Sequence, residues 1–102
     1  LDVPCTNTGV LRRRPDARWR FDDSRLAERV RTQSAILERA VASLKQDGRI
    51  VYSTCSLEPE ENDGVIRTFL KKKPEFRDIR RMANVPPDRD MDGAFAALLR
   101  RA

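Results

Sequence analysis

Apolar residues recur at steps of three and four from Ser24 to Gln46. Leu26, Val30, Leu37, Val41 and Leu44 form the stripe, Gln33 sits on it as its polar member, and Ile36 and Ala40 widen it. This spacing predicts a helix. Asp22, Asp23 and Ser24 offer capping oxygens before it, and Gly48 suits a left-handed stop after it. Ile50, Val51 and Tyr52 then make a short β-prone run, which predicts a strand over 49–54 with Cys55 at its C-terminal end. Pro59 opens a second predicted helix, with Glu60 and Glu61 in its first turn as ordinary helix N-terminal charge. Val65, Ile66, Phe69 and Leu70 are its apolar face, Lys71, Lys72 and Lys73 its last turn, and Pro74 its stop. Phe76 to Met82 reads as a short strand, and Asn84 to Asp92, with Pro86 and Pro87, as a loop. The end, Gly93 to Leu99, is ambiguous on its residues, because its Ala and Leu content favours helix. At the other end Leu1-Asp2-Val3 reads as the end of a strand. Pro4 to Gly9 reads as the loop after it, and residues 10–22 as an irregular basic loop.

Strands and helices therefore alternate. That order predicts an α/β fold with a mainly parallel sheet. In such sheets ligand chemistry gathers at the C-terminal ends of the strands. Both cysteines fall there, Cys5 after the first strand and Cys55 after the second.

Composition narrows the chemistry. The 102 residues, 39% hydrophobic, fit a single domain spanning 1–102. Histidine is absent, so neither a Ser-His-Asp nor a Cys-His pair can form within the chain. His-containing zinc sites are excluded as well, and two cysteines cannot make a four-thiolate site, so no metal is expected. No apolar run approaches the roughly 18 residues of a membrane helix. No basic-then-apolar leader is visible, so secretion is not indicated and a cytoplasmic protein is expected. The chain opens at Leu1 rather than Met, in what reads as the end of a strand, and is treated as a fragment.

A cysteine is commonly just a small buried hydrophobe. These two instead follow strands and have small polar neighbours: Thr6 and Asn7 beside Cys5, Thr54 and Ser56 beside Cys55. Thiolates are activated near backbone N–H groups and helix N-termini. A disulfide between them stays open on the residues alone.

Asp2-Val3-Pro4-Cys5-Thr6-Asn7-Thr8-Gly9 resembles the Asp-x-Pro-Cys-Ser/Thr-x-x-Gly motif of the bacterial RsmB and eukaryotic Nol/Nop/Sun RNA methyltransferases. Tyr52-Ser53-Thr54-Cys55-Ser56-Leu57-Glu58-Pro59-Glu60-Glu61-Asn62 is similar to that family's second cysteine motif. Residues 9–16 with Trp19 resemble the bacterial ribosomal RNA members in particular. Residues 92–99 resemble their closing strand, with Ala94 where an aromatic is usual.

The resemblance implies the C-terminal half of a Rossmann-like methyltransferase fold that uses S-adenosylmethionine, with an antiparallel last strand. The cofactor-binding N-terminal half, with its glycine-rich loop, is absent from this chain. It implies methylation of cytosine carbon-5 in RNA, here ribosomal RNA. Cys55 is then the attacking nucleophile, Cys5 assists release, and Asp2 lies between cofactor and cytosine. Pro4, which stiffens the loop, and Arg12, Arg13 and Arg14, which follow it, are the expected RNA contacts. Arg25, Arg29, Arg31 and Arg39 are expected to face solvent.

Two other classes stay in view. The net charge of +5 and the arginine cluster would also suit a non-catalytic RNA-binding module, and a pairing of Cys5 with Cys55 would suit a dithiol redox protein. A strand cut at Leu1 would leave a sheet edge open to self-association.

Overall fold

The computed structural model describes residues 1–6, 23–84 and 93–101. Its elements, in chain order, are α1 (Asp23–Ala42), β1 (Arg49–Thr54), α2 (Asp63–Lys72), β2 (Phe76–Asn84) and β3 (Ala94–Arg101).

α1 uses the stripe its periodicity predicts. Leu37 and Gln33 are fully buried, and Val30, Ile36, Ala40 and Val41 pack on the core from partly buried positions. Arg25, Arg29, Arg31 and Arg39 are exposed. The helix ends at Ala42 rather than Gln46. Ser43 and Leu44 close tighter turns onto Ala40 and Val41, and the Arg101 guanidinium donates to the carbonyls of Val41 (3.2 Å) and Leu44 (3.1 Å). The last acceptors of the helix are thus satisfied from β3 instead of by a further turn. The left-handed residue of the turn is Asp47 (φ 64°), not Gly48. Gly48 is needed for close approach: a Cβ there would stand 2.5 Å from the Leu44 side chain and 2.7 Å from the Lys45 carbonyl oxygen.

α2 begins at Asp63, not at Pro59. Residues 59–62 form successive turns in which the amides of Asn62 and Gly64 both donate to Pro59 O (3.1 and 2.8 Å). The reason is that Glu61 and Asn62 turn their side chains inward, off a helical path, to partners described below. From Asp63 the expected apolar face holds, with Val65, Ile66 and Phe69 buried. Lys71 and Lys72 occupy the last turn, at the negative pole of the helix dipole.

β3 lies between β1 and β2 and is antiparallel to both. The last segment is therefore a strand, as the family resemblance implies, despite the helical propensity of Ala and Leu. Propensity is a weak prior. Here Phe95, Ala97 and Leu99 alternate into the core while β1 and β2 supply hydrogen-bond partners on both sides. β1 and β2, joined through α2, run in the same direction but are separated by β3. Parallel pairing appears upstream, where Asp2 bridges to Ser53. Val3 N–H donates to Ser53 O (3.1 Å), and Ser53 N–H donates to Leu1 O (2.8 Å). β2 reaches Asn84 and is irregular between Asp78 and Arg80.

Both helices cover one face of the sheet. Leu37, Val65, Ile66 and Phe69 interleave there with Val3, Ile50, Tyr52, Phe76, Phe95, Ala97 and Leu99. Two edge-to-face aromatic pairs sit in this layer: Phe69 with Phe76 at 5.0 Å and Tyr52 with Phe95 at 6.4 Å between ring centroids. The loop predicted over 84–92 lies outside the described residues after Asn84, as does Asp22.

Candidate active site

The parallel bridge decides what meets at the sheet end. Asp2 is level with Ser53, so the two backbones leave the sheet side by side and in the same direction. Cys5 and Cys55 each follow within a few residues. Their sulfurs lie 3.3 Å apart, in thiol–thiol contact, and no disulfide joins them. Cys5 is buried and Cys55 is partly exposed. The thiolate is the reactive form of cysteine, and two sulfurs this close can share or pass a proton.

Glu61 ties the two loops together. Its side chain is fully buried. Oε1 accepts from the Thr6 amide (2.8 Å) and from Gln33 Nε2 (3.1 Å); Oε2 accepts from Thr6 Oγ1 (2.7 Å) and from Ser56 Oγ. Thr6 follows Cys5 directly and Ser56 follows Cys55, so a single carboxylate grips the residue after each thiol. Every partner is a donor, which matches the acceptor-only character of a carboxylate. Gln33 adds a further tie from α1, donating to Pro4 O at 2.8 Å. Its own Oε1 is buried without a hydrogen-bond partner among the described residues. Such a group costs about 1–3 kcal/mol, so the amide is oriented by its two donor contacts.

The loop after β1 is also stitched to itself. Thr54 Oγ1 donates to Asn62 Oδ1 (2.5 Å), Asn62 Nδ2 donates to Ser56 O (2.9 Å), and the Ser56 amide donates to Thr54 Oγ1 (3.1 Å). The Tyr52 hydroxyl, fully buried, donates to Glu61 O at 2.6 Å. Burial pushes the Tyr52 phenol well above its ordinary range, and the charges of Glu61 and Cys5 push it further the same way. The neutral phenol is thus favoured in the folded state. Its contribution to stability is fully present below the ordinary value of 10.0 and is lost as pH rises above it. Tyr52 is the single tyrosine of the chain. A phenolate absorbance titration should therefore read one group, silent through pH 10 when folded and normal in urea. Ordinary titration in the folded chain would contradict the buried hydroxyl.

The family model for the 16S rRNA methyltransferase RsmB/F matches residues 1–100. The chain belongs to the RsmB/F methyltransferase family. It is 42% identical to the ribosomal RNA small subunit methyltransferase B of Yersinia enterocolitica, over 97% of this chain and 25% of that protein. It is 41% identical to the same-named protein of Salmonella enteritidis, with equal coverage. Among solved structures, PH0851 superposes with a TM-score of 0.91 at 35% identity, over 97% of this chain and 25% of that one. NSun6 from Pyrococcus horikoshii, solved with SFG, gives 0.84 at 29% identity, over 99% of this chain and 29% of that one. The chain thus spans about a quarter of the length of the curated relatives it matches. The Rossmann-like methyltransferase fold class agrees with these neighbours.

Within this RsmB/F chain the structure brings Cys5, Cys55, Asp2 and Pro4 to one end of the sheet. Asp2 is exposed and accepts from Ser53 Oγ at 3.4 Å. Pro4 is exposed too, and its carbonyl is held by Gln33. Arg12, Arg13, Arg14 and Trp19 lie outside the described residues. The reading of Glu60 and Glu61 as first-turn helix charge does not hold: the acidic residue of the first turn is Asp63, and Glu60 lies exposed in the turn before it. Glu61 precedes the helix and points inward, because four donors converge on it. Thr6, Gln33 and Ser56 were not expected at the site. The signal for them is Gln33 itself: a polar residue on the buried stripe of an amphipathic helix requires a buried partner. Among the described residues no group of three or more His, Cys, Asp or Glu is placed to hold a metal ion, and no helix is long and apolar enough to cross a membrane.

Proposed function

We propose that this chain carries the two reacting thiols of an RNA (cytosine-5) methyltransferase that uses S-adenosylmethionine and acts on ribosomal RNA in the cytoplasm. The observation that carries the reading is the 3.3 Å contact between Cys5 and Cys55 at adjoining strand ends, in a chain of a 16S rRNA methyltransferase family. The names of the curated relatives support a ribosomal RNA substrate, and the NSun6 structure with SFG, an S-adenosylmethionine analogue, supports that cofactor.

Cytosine carbon-5 is a poor nucleophile in an electron-poor aromatic ring. In this reading the Cys55 thiolate adds to carbon-6. The S–C6 bond forms, and the C5=C6 π pair moves onto carbon-5. One hard step becomes two easier ones. Carbon-5 would use that pair to bond the methyl of S-adenosylmethionine, whose methyl–sulfur bond would break with its pair staying on sulfur, so that S-adenosylhomocysteine leaves. The carbon-5 proton then leaves, its bonding pair restores C5=C6, and the Cys55 thiolate is expelled. Cys5 assists this release, as the base or by orienting one. Asp2 fits one end of the cofactor or the base edge: it is an exposed carboxylate at the strand end where α/β sheets hold their ligands. Pro4 stiffens the loop beside the base, and Arg12, Arg13 and Arg14 contact phosphates.

RNA carrying 5-fluorocytosine tests the reading, because fluorine at carbon-5 cannot leave as a proton does. The full-length protein should form a denaturation-resistant complex with it, and peptide mapping should find the link on Cys55. Binding without any adduct would favour the RNA-binding module, and an adduct on Cys5 would reverse the roles. With the three arginines changed to Ala, the slope of log affinity against log salt should fall by about 2.

A further inference from the structure

We infer that Glu61 is the positioning residue that holds the two thiols in register. The inference rests on the proposal that Cys5 and Cys55 are the reacting groups. Each cysteine is followed directly by a residue that the Glu61 carboxylate holds. Thr6 is bound to Glu61 through both its amide and its hydroxyl, at 2.8 and 2.7 Å, and Ser56 is bound through its hydroxyl. Ser56 Oγ also accepts from the Glu58 amide at 2.9 Å, so the carboxylate and the turn that presents it are connected twice. The Glu61 carbonyl is in turn anchored by Tyr52 from inside the sheet, and Oε1 by Gln33 from α1. The carboxylate is thus fixed from β1 and α1 and itself fixes both loops. Nothing in its geometry gives it access to a substrate, since it is fully buried. Its effect on the reaction passes through the thiols.

The substitutions should grade. Glu61→Gln keeps an oxygen for two of the four donors and sets an amide against two hydroxyls, which can reverse roles. Glu61→Ala strips all four donors of their acceptor. Ser56→Ala removes the arm to the Cys55 loop and, with it, the acceptor of the Glu58 amide. The probe is phenylarsine oxide, whose arsenic condenses with two neighbouring thiols, forming two As–S bonds and releasing one water.

In the full-length protein the arsenical should bind in a manner lost in both Cys5→Ala and Cys55→Ala. Glu61→Ala should weaken that binding by at least about tenfold, as expected when two tethered contacts no longer act together. Glu61→Gln and Ser56→Ala should fall between, with far-UV circular dichroism and melting retained. In turnover, Glu61→Gln should lower kcat with KM for RNA unchanged, by up to roughly a hundredfold, the scale of a 1 Å misplacement. Two-thiol binding within twofold of wild type in both Glu61→Gln and Ser56→Ala would overturn the inference. So would loss of methylation in Glu61→Gln with two-thiol binding intact, which would assign Glu61 a direct role. If the arsenical result holds but no Cys55 adduct forms on RNA, the positioning stands and the methyltransfer reading fails.

Discussion

Replacing Cys55 by Ala in the full-length protein should abolish methylation and leave no covalent RNA adduct, whereas replacing Cys5 by Ala should halt turnover with RNA still attached. The two thiols are in contact, yet the expected outcomes are opposite because the steps differ. Without Cys55 no bond to carbon-6 can form, carbon-5 stays part of an aromatic ring, and the loss should be on the order of 10⁴-fold or more, as for other nucleophiles. Without Cys5 the proposed addition and methylation should still proceed, but departure of the carbon-5 proton would no longer be assisted and the S–C6 bond would persist. Denaturing gels of each variant with labelled RNA, beside methyl incorporation, separate the two. If Cys55→Ala traps RNA and Cys5→Ala does not, the roles are reversed. If neither traps RNA and both remain active, the thiols are bystanders.

The placement of Cys5 and Cys55 at strand ends was legible from local pattern, because strands and turns announce themselves over a few residues. Ile50 and Tyr52 alternate into the core as a β run should, and Pro4 marks the turn away from the residues that pair with β1. What local pattern could not show is the bridge between Asp2 and Ser53, a pairing across 51 residues of separation on which the sulfur contact depends. The position of β3 was illegible for a related reason. Ala and Leu at 96–99 satisfy helix and strand alike, and only insertion between β1 and β2 decides for strand. The start of α2 was misread because Pro59 and two glutamates are a sound helix-opening signal. The signal is overridden when four donors converge on one buried glutamate. Gln33 carried the clue in plain sight, counted with an apolar stripe that a glutamine should not join without a partner.

Phe69→Ala should cost about 3–5 kcal/mol of folding stability, the range for removing a buried aromatic side chain, out of the 5–15 kcal/mol typical of a native domain. Phe69 is buried on α2 and meets Phe76, the first residue of β2, edge to face at 5.0 Å between ring centroids. Phe76 also has the Arg101 guanidinium over its ring, 5.4 Å from the centroid. The Phe69 side chain therefore ties α2 to the strand that follows it, and the ring it meets there carries the arginine that closes α1. One competing tie on α2 is the ion pair of Lys72 with Glu38 on α1 at 3.2 Å, but both side chains are largely exposed, at 57% and 42%. An exposed pair of this kind contributes about 0–1 kcal/mol, so Lys72→Ala should barely move the unfolding midpoint. The contrast matters for the site because α2 starts directly after Glu61 and Asn62. A helix that loses its aromatic anchor also frees the turn that holds the carboxylate between Thr6 and Ser56. Urea unfolding of the two variants decides the matter: a loss below about 1 kcal/mol for Phe69→Ala, within the range of ordinary point mutations, would show that the ring does not anchor the helix.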